Sequence, residues 1–488
     1  MKILFYSMEG IGHVQACLGL ANGLRKRDHQ ITFMIGSEYC GNFRKHGHEE
    51  LILMDDGEDP KMFEKSSTNK IDRQSMIDHE QHPVLPLIVS RLQKSIVLQH
   101  KTPKEKLELR DNAMFKRIYE KMKRLHEKID RLIDEHGPDL IIIDHFIIPP
   151  CIAFRRNTPW IFLFSGCPDF LYNSKELPPL MSGNFFEYDL NNCCYANQGL
   201  PSNDRSEWSE YRKLFHEKYQ KPLQDLQNQL NQDFGYDPYP ESIFFNKSPY
   251  LNLYGYPKEL DFNDRVERPA NFLQLDSFFD YNPDDYHPYE FPEEFRHKIQ
   301  KNDRLIYISL GSCGPIDIEL MKKIIESLRY TPYKYIISKG PLHDQYELAD
   351  NMWGRQWLDQ RRILPMVDIV IFHGGNNTLA ECVMHGKPMI VMPLFFDQYS
   401  NAQRIHEKQF GIRMDPYRFE AKELIENVEK LLFNADGEII RQNLQHASKR
   451  IRQSNSVRLA CIQLERLVSL NMYGNENNSL KYDDDDVQ

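Results

Sequence analysis

The segment 369–394, IVIFHGGNNTLAECVMHGKPMIVMPL, constrains the fold of this chain more strongly than any other part of it. Its first four residues, 369–372, form an apolar and mostly β-branched run, which is typical of a buried parallel strand. The turn 374–377 follows, and Thr378 is a suitable N-cap for the helix after it. Residues 389–394 then return as a second buried strand. The order strand, glycine turn, helix, strand predicts an α/β unit with a parallel sheet.

The predicted turn and helix have the features of an anion site. The free N–H groups and the positive dipole end of the helix point to one place beyond the strand, and that place suits a phosphate. His373, Asn377 and Thr378 add hydrogen-bond donors there. Glu381 lies three residues after Thr378 and faces the same side of the helix. Its carboxylate suits the two hydroxyls of a ribose, so the pattern favours a nucleotide.

Three residues outside the helix suit the other parts of a nucleotide sugar. Trp357 offers a flat face for a base, and Asp397-Gln398 offers a carboxylate and an amide for sugar hydroxyls. Taken singly these features are weak, because a glycine loop before a helix is usually only a turn and His373 alone can be an ordinary strand-end histidine. The full order Trp, Gln, His-Gly-Gly-Asn-Asn-Thr, Glu, Asp-Gln is far more specific.

With these residues the chain resembles the UDP-glycosyltransferases of the GT-B fold (glycosyltransferase family 1), in particular the soluble bacterial macrolide-type enzymes and the related enzymes of mites. The resemblance covers most of the chain and is strongest over 304–415. It implies an α/β architecture with two Rossmann-like parallel-sheet domains that face each other across a cleft. It also implies a C-terminal helix that crosses back to the N-terminal domain.

The resemblance further implies a set of contacts to a UDP-sugar. Trp357 is expected to stack on the uracil while the backbone of Leu358 bonds its edge, and Gln360 and Glu381 are expected to hold the ribose. The other residues implied on the donor side, including those at the diphosphate and the hexose, are Gly12, Gly311, Ser312, His373, Gly375, Asn376, Asn377, Thr378, Asp397 and Gln398. Asp359 departs from the family pattern, which often has proline before Gln360.

A histidine and an aspartate follow two predicted strands of the first domain. His13 comes after the strand that begins near Ile3, and the run DLIIIDHF places Asp144 at the carboxyl end of another strand. Ligands of open α/β sheets bind at that edge. By itself His13 is more readily interpreted as a turn histidine, but the resemblance implies that His13 and Asp144 form the catalytic dyad. His145 is expected to point away from Asp144, although the reverse assignment stays open.

The chain is expected to divide into four parts. Residues 1–280 are predicted to form an acceptor-binding Rossmann-like domain, and residues 281–446 a UDP-sugar-binding Rossmann-like domain. Residues 447–473 are predicted to form the helix that packs back on the first domain. Residues 474–488, which include four consecutive aspartates, are predicted to be a disordered acidic tail.

Other segments give a coarser prediction. Residues 55–112 and 166–240 are expected to surround the acceptor, but their irregular pattern does not identify it. A long amphipathic helix is predicted from Ala113. Near the C-terminus, apolar residues at three-four spacing predict two helices, at about 420–433 and 438–468.

Composition excludes two classes of function. The chain has 61 basic and 71 acidic residues, a formal charge of −10, and no basic patch with interleaved aromatic residues, so nucleic-acid binding is not expected. No run approaches the roughly 18 apolar residues of a membrane helix, and the N-terminal segment is too short for a signal peptide. The nine cysteines are scattered and are interpreted as reduced thiols. We therefore expect a cytoplasmic enzyme and a monomer.

The predicted function is inverting transfer of a hexose from a UDP-sugar to a hydroxyl of a small lipophilic acceptor, such as a phenol, a flavonoid or another xenobiotic. Gln398 favours glucose as the hexose, and neither a metal nor a cofactor is expected besides the UDP-sugar co-substrate. Two alternatives are an isomerase similar to UDP-sugar 2-epimerases and an inactive binder of lipophilic compounds. A third, an NAD-dependent oxidoreductase, is disfavoured because Gln15 stands where the dinucleotide pattern after Gly10 and Gly12 requires glycine.

Overall fold

A computed structural model describes most of the chain. The described residues are 1–8, 10–37, 40–41, 43–54, 85–172, 174–183, 205–239, 247–279, 281–283 and 287–472. Parts of both predicted acceptor segments, 55–84 and 184–204, lie outside the described residues, as does the predicted tail from 474.

In the described residues, the N-terminal lobe is built on a parallel sheet of seven strands. In chain order these are β1 (Lys2–Ser7), β2 (Gln30–Gly36), β3 (Glu49–Leu53), β4 (Leu140–Asp144), β5 (Trp160–Phe164), β6 (Leu251–Gly255) and β7 (Phe272–Leu275). Their order across the sheet is β3-β2-β1-β4-β5-β6-β7. The sheet therefore reverses its winding between β1 and β4, where Ser7 pairs with Asp144. A crevice at the carboxyl ends of such strands is the usual ligand site of this architecture.

The C-terminal lobe repeats this plan with six parallel strands. They are β8 (Leu305–Ser309), β9 (Lys334–Ser338), β10 (Met352–Arg355), β11 (Ile369–Phe372), β12 (Met389–Val391) and β13 (Gly411–Arg413), in the spatial order β10-β9-β8-β11-β12-β13. Here the winding reverses between β8 and β11, and Ser309 pairs with Phe372. All four residues of β11 are buried, as the apolar run predicted.

Helices cover both sheets. In chain order they are α1 (Ile11–Arg25), α2 (Leu85–Gln93), α3 (Pro103–Glu108), α4 (Ala113–His136), α5 (Pro150–Ala153), α6 (Asp169–Tyr172), α7 (Arg205–Phe215), α8 (Lys221–Asp233), α9 (Glu293–Arg296), α10 (Ile318–Leu328), α11 (Gln360–Ile363), α12 (Asn376–Met384), α13 (Gln398–Glu407), α14 (Ala421–Phe433), α15 (Ala435–Gln453) and α16 (Ser456–Met472). A π-helical turn, His216–Gln220, joins α7 to α8. The long helix predicted from Ala113 is confirmed, and it ends at Gly137 in the left-handed conformation.

Two predicted helix boundaries are wrong. The glycine-turn helix begins at Asn376 with Gly375 as its N-cap, so Thr378 lies inside the first turn and does not cap it. The predicted helix 438–468 is two helices, because the backbone of Ser454 is extended and its hydroxyl bonds the carbonyl of Ile451. Serine competes with helix hydrogen bonds in this way, and the chain changes direction there.

The last helix, α16, packs against the N-terminal lobe. Val457, Cys461 and Leu464 belong to the same buried cluster as the residues of β1 and α1. Arg27 donates two hydrogen bonds, each of 2.7 Å, to the carboxylate of Glu465. A paired guanidinium and carboxylate fix the helix in register as well as in place, so the end of the chain joins the two lobes.

Two arginine side chains also join the lobes. Arg404 on α13 is 2% exposed and donates from Nε to the carbonyl of Leu260 at 2.8 Å. Arg450 on α15 bonds the carboxylates of Glu259 and Asp276 in the N-terminal lobe. These bonds hold the carboxyl ends of the two sheets against a common cleft.

Candidate active site

His13 and Asp144 are joined by a hydrogen bond at the winding reversal of the first sheet. His13 lies in the first turn of α1, and its Nδ1 is 2.9 Å from Oδ2 of Asp144 at the end of β4. Because an ionised carboxylate only accepts, Nδ1 carries the proton and Nε2 keeps its lone pair. Burial lowers the pKa of His13, but the charge and hydrogen bond of Asp144 and the charge of Asp397 outweigh it, and the net shift is upward.

A cavity beside this pair is lined by residues of both lobes. Its walls include His13, Asp144 and Ser165 from the N-terminal lobe and Phe396 and Asp397 from the C-terminal lobe. The other residues that line it are Met8, His145, Phe146, Phe162, Phe164 and Gly166. Aromatic rings thus form much of the wall next to the imidazole, which suits an apolar ligand with a polar group at the His13 end.

Asp397 is held at this cavity by both lobes. Its Oδ2 accepts from the backbone N–H of Cys167 at 3.1 Å and from Nδ2 of Asn401 at 3.3 Å. Burial raises the pKa of Asp397 to about 6, so the side chain is mostly ionised at neutral pH. It offers an acceptor to a hydroxyl in the cavity.

His145 does not bond to Asp144. Its ring is stacked on that of Tyr6, with 5.5 Å between centroids, and burial lowers the pKa of His145 to about 3. It stays neutral at physiological pH. His145 also lines the cavity.

His373 lies at the winding reversal of the second sheet, between two glycines. A Cβ on Gly311 would be 2.6 Å from the imidazole Nε2, and a Cβ on Gly375 would be 2.4 Å from it. Gly311 also has a φ of +72°, which a side chain would strain. Burial lowers the pKa of His373 to about 4, so the imidazole is neutral and acts as a hydrogen-bond group. A hydrogen bond with the backbone of Ser309 acts in the opposite direction on this pKa, but its effect is smaller than that of burial.

Gln360, Thr378 and Glu381 are brought together beside α12. Nε2 of Gln360 donates to Oε2 of Glu381 at 2.5 Å and lies 3.2 Å from the hydroxyl of Thr378. Burial raises the pKa of Glu381 to about 7. The two residues expected at a ribose are therefore neighbours, although 21 positions apart in sequence.

Trp357 and Leu358 follow the edge strand β10, at the same end of the sheet. Trp357 is half-buried and Leu358 is 8% exposed. The carbonyl of Gln356 accepts from the N–H of Gly340, which ties this loop to the end of β9. The hydroxyl of Ser312 lies 3.6 Å from the sulfur of Cys313, in the loop after β8. Three of the residues predicted to bind the UDP-sugar are thus at the carboxyl edge of the second sheet: Trp357, Leu358 and Ser312.

The two asparagines at the start of α12 reach across the cleft. Nδ2 of Asn376 donates to the carbonyl of Gly255 at 2.7 Å, and Nδ2 of Asn377 donates to the carbonyl of Gly12 at 2.8 Å. Gly12 immediately precedes His13. The residues predicted for the diphosphate and the predicted base are therefore next to each other.

The side chain of Gln398 stabilises the backbone of the turn before it. Its Oε1 accepts from the backbone N–H of Leu394 at 2.9 Å and of Phe395 at 3.2 Å. The side-chain carbonyl thus closes the turn before α13. Only the amide N–H groups are left to bond a sugar hydroxyl.

Ser165 and Asn401 are part of the site but were not predicted. The hydroxyl of Ser165 donates to Oδ2 of Asp144 at 3.3 Å and is 3.2 Å from Nδ1 of His13. Nδ2 of Asn401 donates to the carbonyl of Gly374 at 2.8 Å as well as to Asp397. Ser165 follows β5 directly. Its position at the carboxyl end of a strand, the feature that selected Asp144, was therefore a signal for it. Asn401 had no comparable signal.

Two negative findings concern the described part of the chain. Within it, no three side chains of His, Cys, Asp or Glu are grouped so that they could hold a metal ion. None of the helices that it contains is long and apolar enough to cross a membrane.

Two solved glycosyltransferases have this architecture. The glycotransferase of kitacinnamycin has a TM-score of 0.64 to this chain at 15% identity, covering 96% of this chain and 99% of that one. The glycosyltransferase VinC, solved in complex with dTDP, has a TM-score of 0.59 at 14% identity, with 96% and 100% covered. Two Rossmann-like lobes with parallel sheets facing a cleft define the GT-B fold, and the predicted fold class is confirmed.

The similarity to a known family lies mostly in the second lobe. Over residues 272–452, the chain matches the family model described as UDP-glucoronosyl and UDP-glucosyl transferase. It is 30% identical over 149 residues to UDP-glucuronosyltransferase 3A1 of Bos taurus, which covers 29% of this chain and 28% of that protein. It is 28% identical over 171 residues to NDP-glycosyltransferase YjiC of Bacillus subtilis, covering 34% and 43%. The matched stretches span less than half of these relatives.

Proposed function

We propose that this protein is an inverting UDP-glycosyltransferase that moves a hexose, with glucose as the favoured donor sugar, to a hydroxyl of a small lipophilic acceptor. The observation that carries the proposal is the contact of Asn377 with Gly12, one residue from His13. It puts the start of α12, where a diphosphate would bind, beside a paired histidine in an aromatic-lined cavity.

His13 is the proposed general base. With Nδ1–H bonded to Asp144, Nε2 takes the proton of the acceptor hydroxyl as the oxygen attacks the anomeric carbon. Asp144 keeps the tautomer and stabilises the imidazolium that forms. The attacking oxygen approaches the face opposite UDP, the bond from the anomeric carbon to the UDP oxygen breaks, and the configuration inverts. Proton transfer to a positioned base contributes about 10²–10⁴-fold in rate.

The leaving diphosphate would be stabilised by α12. Asn376, Asn377 and Thr378 are its first three residues, and their backbone N–H groups have no partner inside the helix. Together with the helix dipole they form a preorganised site for the negative charge that develops on UDP. His373, kept neutral by burial, would add a hydrogen bond from the same loop.

The rest of the donor would lie along the C-terminal lobe. Trp357 is proposed to stack on the uracil, Glu381 and Gln360 to hold the ribose, and Asp397 and Gln398 to hold the hexose. The contact between Gln360 and Glu381 supports the ribose assignment, because the amide leaves one carboxylate oxygen to accept from a hydroxyl. The buried and mostly ionised Asp397 supports the hexose assignment.

UDP release tests the proposal. The protein is incubated with UDP-glucose, with and without phenols and flavonoids, and UDP and the glycoside are quantified. We expect the wild-type protein to release UDP only when an acceptor is present. His13→Ala should not turn over but should still bind UDP. His297→Ala is a matched control, since the His297 side chain is 74% exposed. Normal transfer by His13→Ala would refute the base assignment.

The same assay separates the alternatives. An isomerase would change the sugar without an acceptor, and an inactive binder would release no UDP under any condition. Either result would refute the transferase proposal.

A further inference from the structure

Phe396 has a backbone conformation that its side chain disfavours. Its φ is +55°, in the left-handed region where a bulky residue is uncommon and glycine is not. The turn that imposes this conformation is closed by Oε1 of Gln398, which accepts from the N–H groups of Leu394 and Phe395. Glycine would satisfy that turn without strain. A strained aromatic residue beside a proposed active site suggests that the ring itself is used.

The ring of Phe396 comes from the C-terminal lobe but packs among aromatic residues of the N-terminal lobe. Its centroid is 4.7 Å from that of Phe170, 5.9 Å from that of Phe146 and 6.2 Å from that of Tyr219. Phe146 and Phe396 meet nearly at right angles, with 80° between the ring planes. The two rings are in contact, so no further ring fits between them.

Phe396 also shares a cavity with the proposed base. It lines the same cavity as His13, and the ring centroid of its neighbour Phe146 is 6.4 Å from that of the imidazole. Asp397 follows Phe396 directly. One turn therefore supplies both the carboxylate that is proposed to bind the hexose and an aromatic wall on the acceptor side. A residue of the C-terminal lobe therefore forms part of the cavity wall.

We propose that Phe396 is a specificity-determining residue that restricts the acceptor to phenols that contain a single aromatic ring. The proposal rests on the function proposed above. Polycyclic phenols would need the space that the Phe396 ring fills next to Phe146. The strained φ is tolerated because the ring packs against three aromatic residues of the other lobe.

The test compares Phe396→Gly and Phe396→Ala with Phe395→Ala. Both variants at 396 remove the ring, but only glycine relieves the strain, so Phe396→Gly keeps the test valid if the alanine variant folds poorly. Phe395 is a neighbouring aromatic residue in the same turn that does not line the cavity. For each protein, kcat/KM is measured with UDP-glucose and either a single-ring phenol or a three-ring flavonoid.

We expect both variants at 396 to shift the ratio of kcat/KM toward the flavonoid by about tenfold or more, the usual discrimination from pocket size. Phe395→Ala should leave the ratio unchanged. A ratio within twofold of wild type in both 396 variants would overturn the proposal.

The acceptor proposal can also be judged if transfer is not detected. Binding of the same two phenols to the UDP-loaded protein is then measured by calorimetry. A shift in the ratio of the two Kd values in the 396 variants supports the role of Phe396, even if the transferase proposal has failed. An unchanged ratio overturns it.

Discussion

Asn377 donates a hydrogen bond from its side-chain amide to the carbonyl of Gly12, 2.8 Å away across the cleft. The bond joins the first turns of α12 and α1, which belong to different lobes. Both helices thereby direct their positive ends toward the same region. A diphosphate at α12 would lie between the two dipoles, close to the imidazole of His13.

Asn377→Ala is expected to raise KM for the UDP-sugar by about two- to tenfold, which corresponds to the loss of one neutral hydrogen bond. The reason is that the variant no longer holds the start of α12 against α1. Steady-state kinetics at saturating acceptor measure the effect. Asn434→Ala is the control, because Asn434 is exposed and makes no capping bond through its side chain. Equal KM values for the two variants would contradict the role of the contact.

The dyad predicts a pH profile. As a base His13 must be neutral, and its pKa is raised above 6.5 because Asp144 and Asp397 outweigh the effect of burial. We therefore expect kcat/KM to fall as pH drops through a pKa above 6.5. Asp144→Asn should lower the plateau by about 10²–10⁴-fold and move this acid limb to lower pH, since the amide has no charge to stabilise the imidazolium.

Ser165→Ala provides the comparison for that profile. It removes the hydroxyl that bonds Asp144 but keeps the carboxylate. The pKa that governs the acid limb of its kcat/KM profile should stay above 6.5. Its loss of activity should be smaller than that of Asp144→Asn. An unchanged limb in Asp144→Asn would show that another group titrates.

Glu381 predicts that donor binding depends on pH. Burial raises the pKa of this carboxyl to about 7, so it is protonated below that value and accepts less well from ribose hydroxyls. The thermal shift caused by UDP should decrease as pH falls through about 7 in the wild-type protein. Glu381→Gln should give a smaller thermal shift without the pH dependence that the Glu381 carboxyl causes. UDP itself titrates in both experiments, so its effect cancels when one curve is subtracted from the other. Parallel curves would argue against a contact with the ribose.

The positions of several candidate site residues were predictable because these residues lie at strand ends. The apolar runs of β4 and β11 identified buried parallel strands, and the residues after such strands meet at one edge of a sheet. The strand ends place His13, Asp144 and His373 at the carboxyl edges of the two sheets, and their expected roles come from the family resemblance.

What was missed depends on contacts between distant segments. The start of α12 at Asn376 follows from the extended backbone of Gly375, and no side-chain pattern reveals that conformation. The partners of Asn376 and Asn377 exist only once the lobes have met. The short strand β13 carries the buried Arg413, whose guanidinium bonds the carbonyl of Gly183, and a charged residue does not predict a buried strand.

Alanine substitutions at two glycines with similar backbone conformations distinguish the effect of backbone strain from that of steric crowding. Gly311 and Gly235 have φ values of +72° and +77°, but a Cβ on Gly311 would be 2.6 Å from the ring of His373, while a Cβ on Gly235 would meet nothing within 4 Å. Alanine at either position should cost about 1–2 kcal/mol of unfolding free energy from left-handed strain. Gly311→Ala should cost more and should also weaken UDP binding, because the added methyl must displace His373 from the start of α12. Urea unfolding and the thermal shift with UDP measure the two effects. If Gly311→Ala binds UDP as Gly235→Ala does, the position of His373 is not important for the donor.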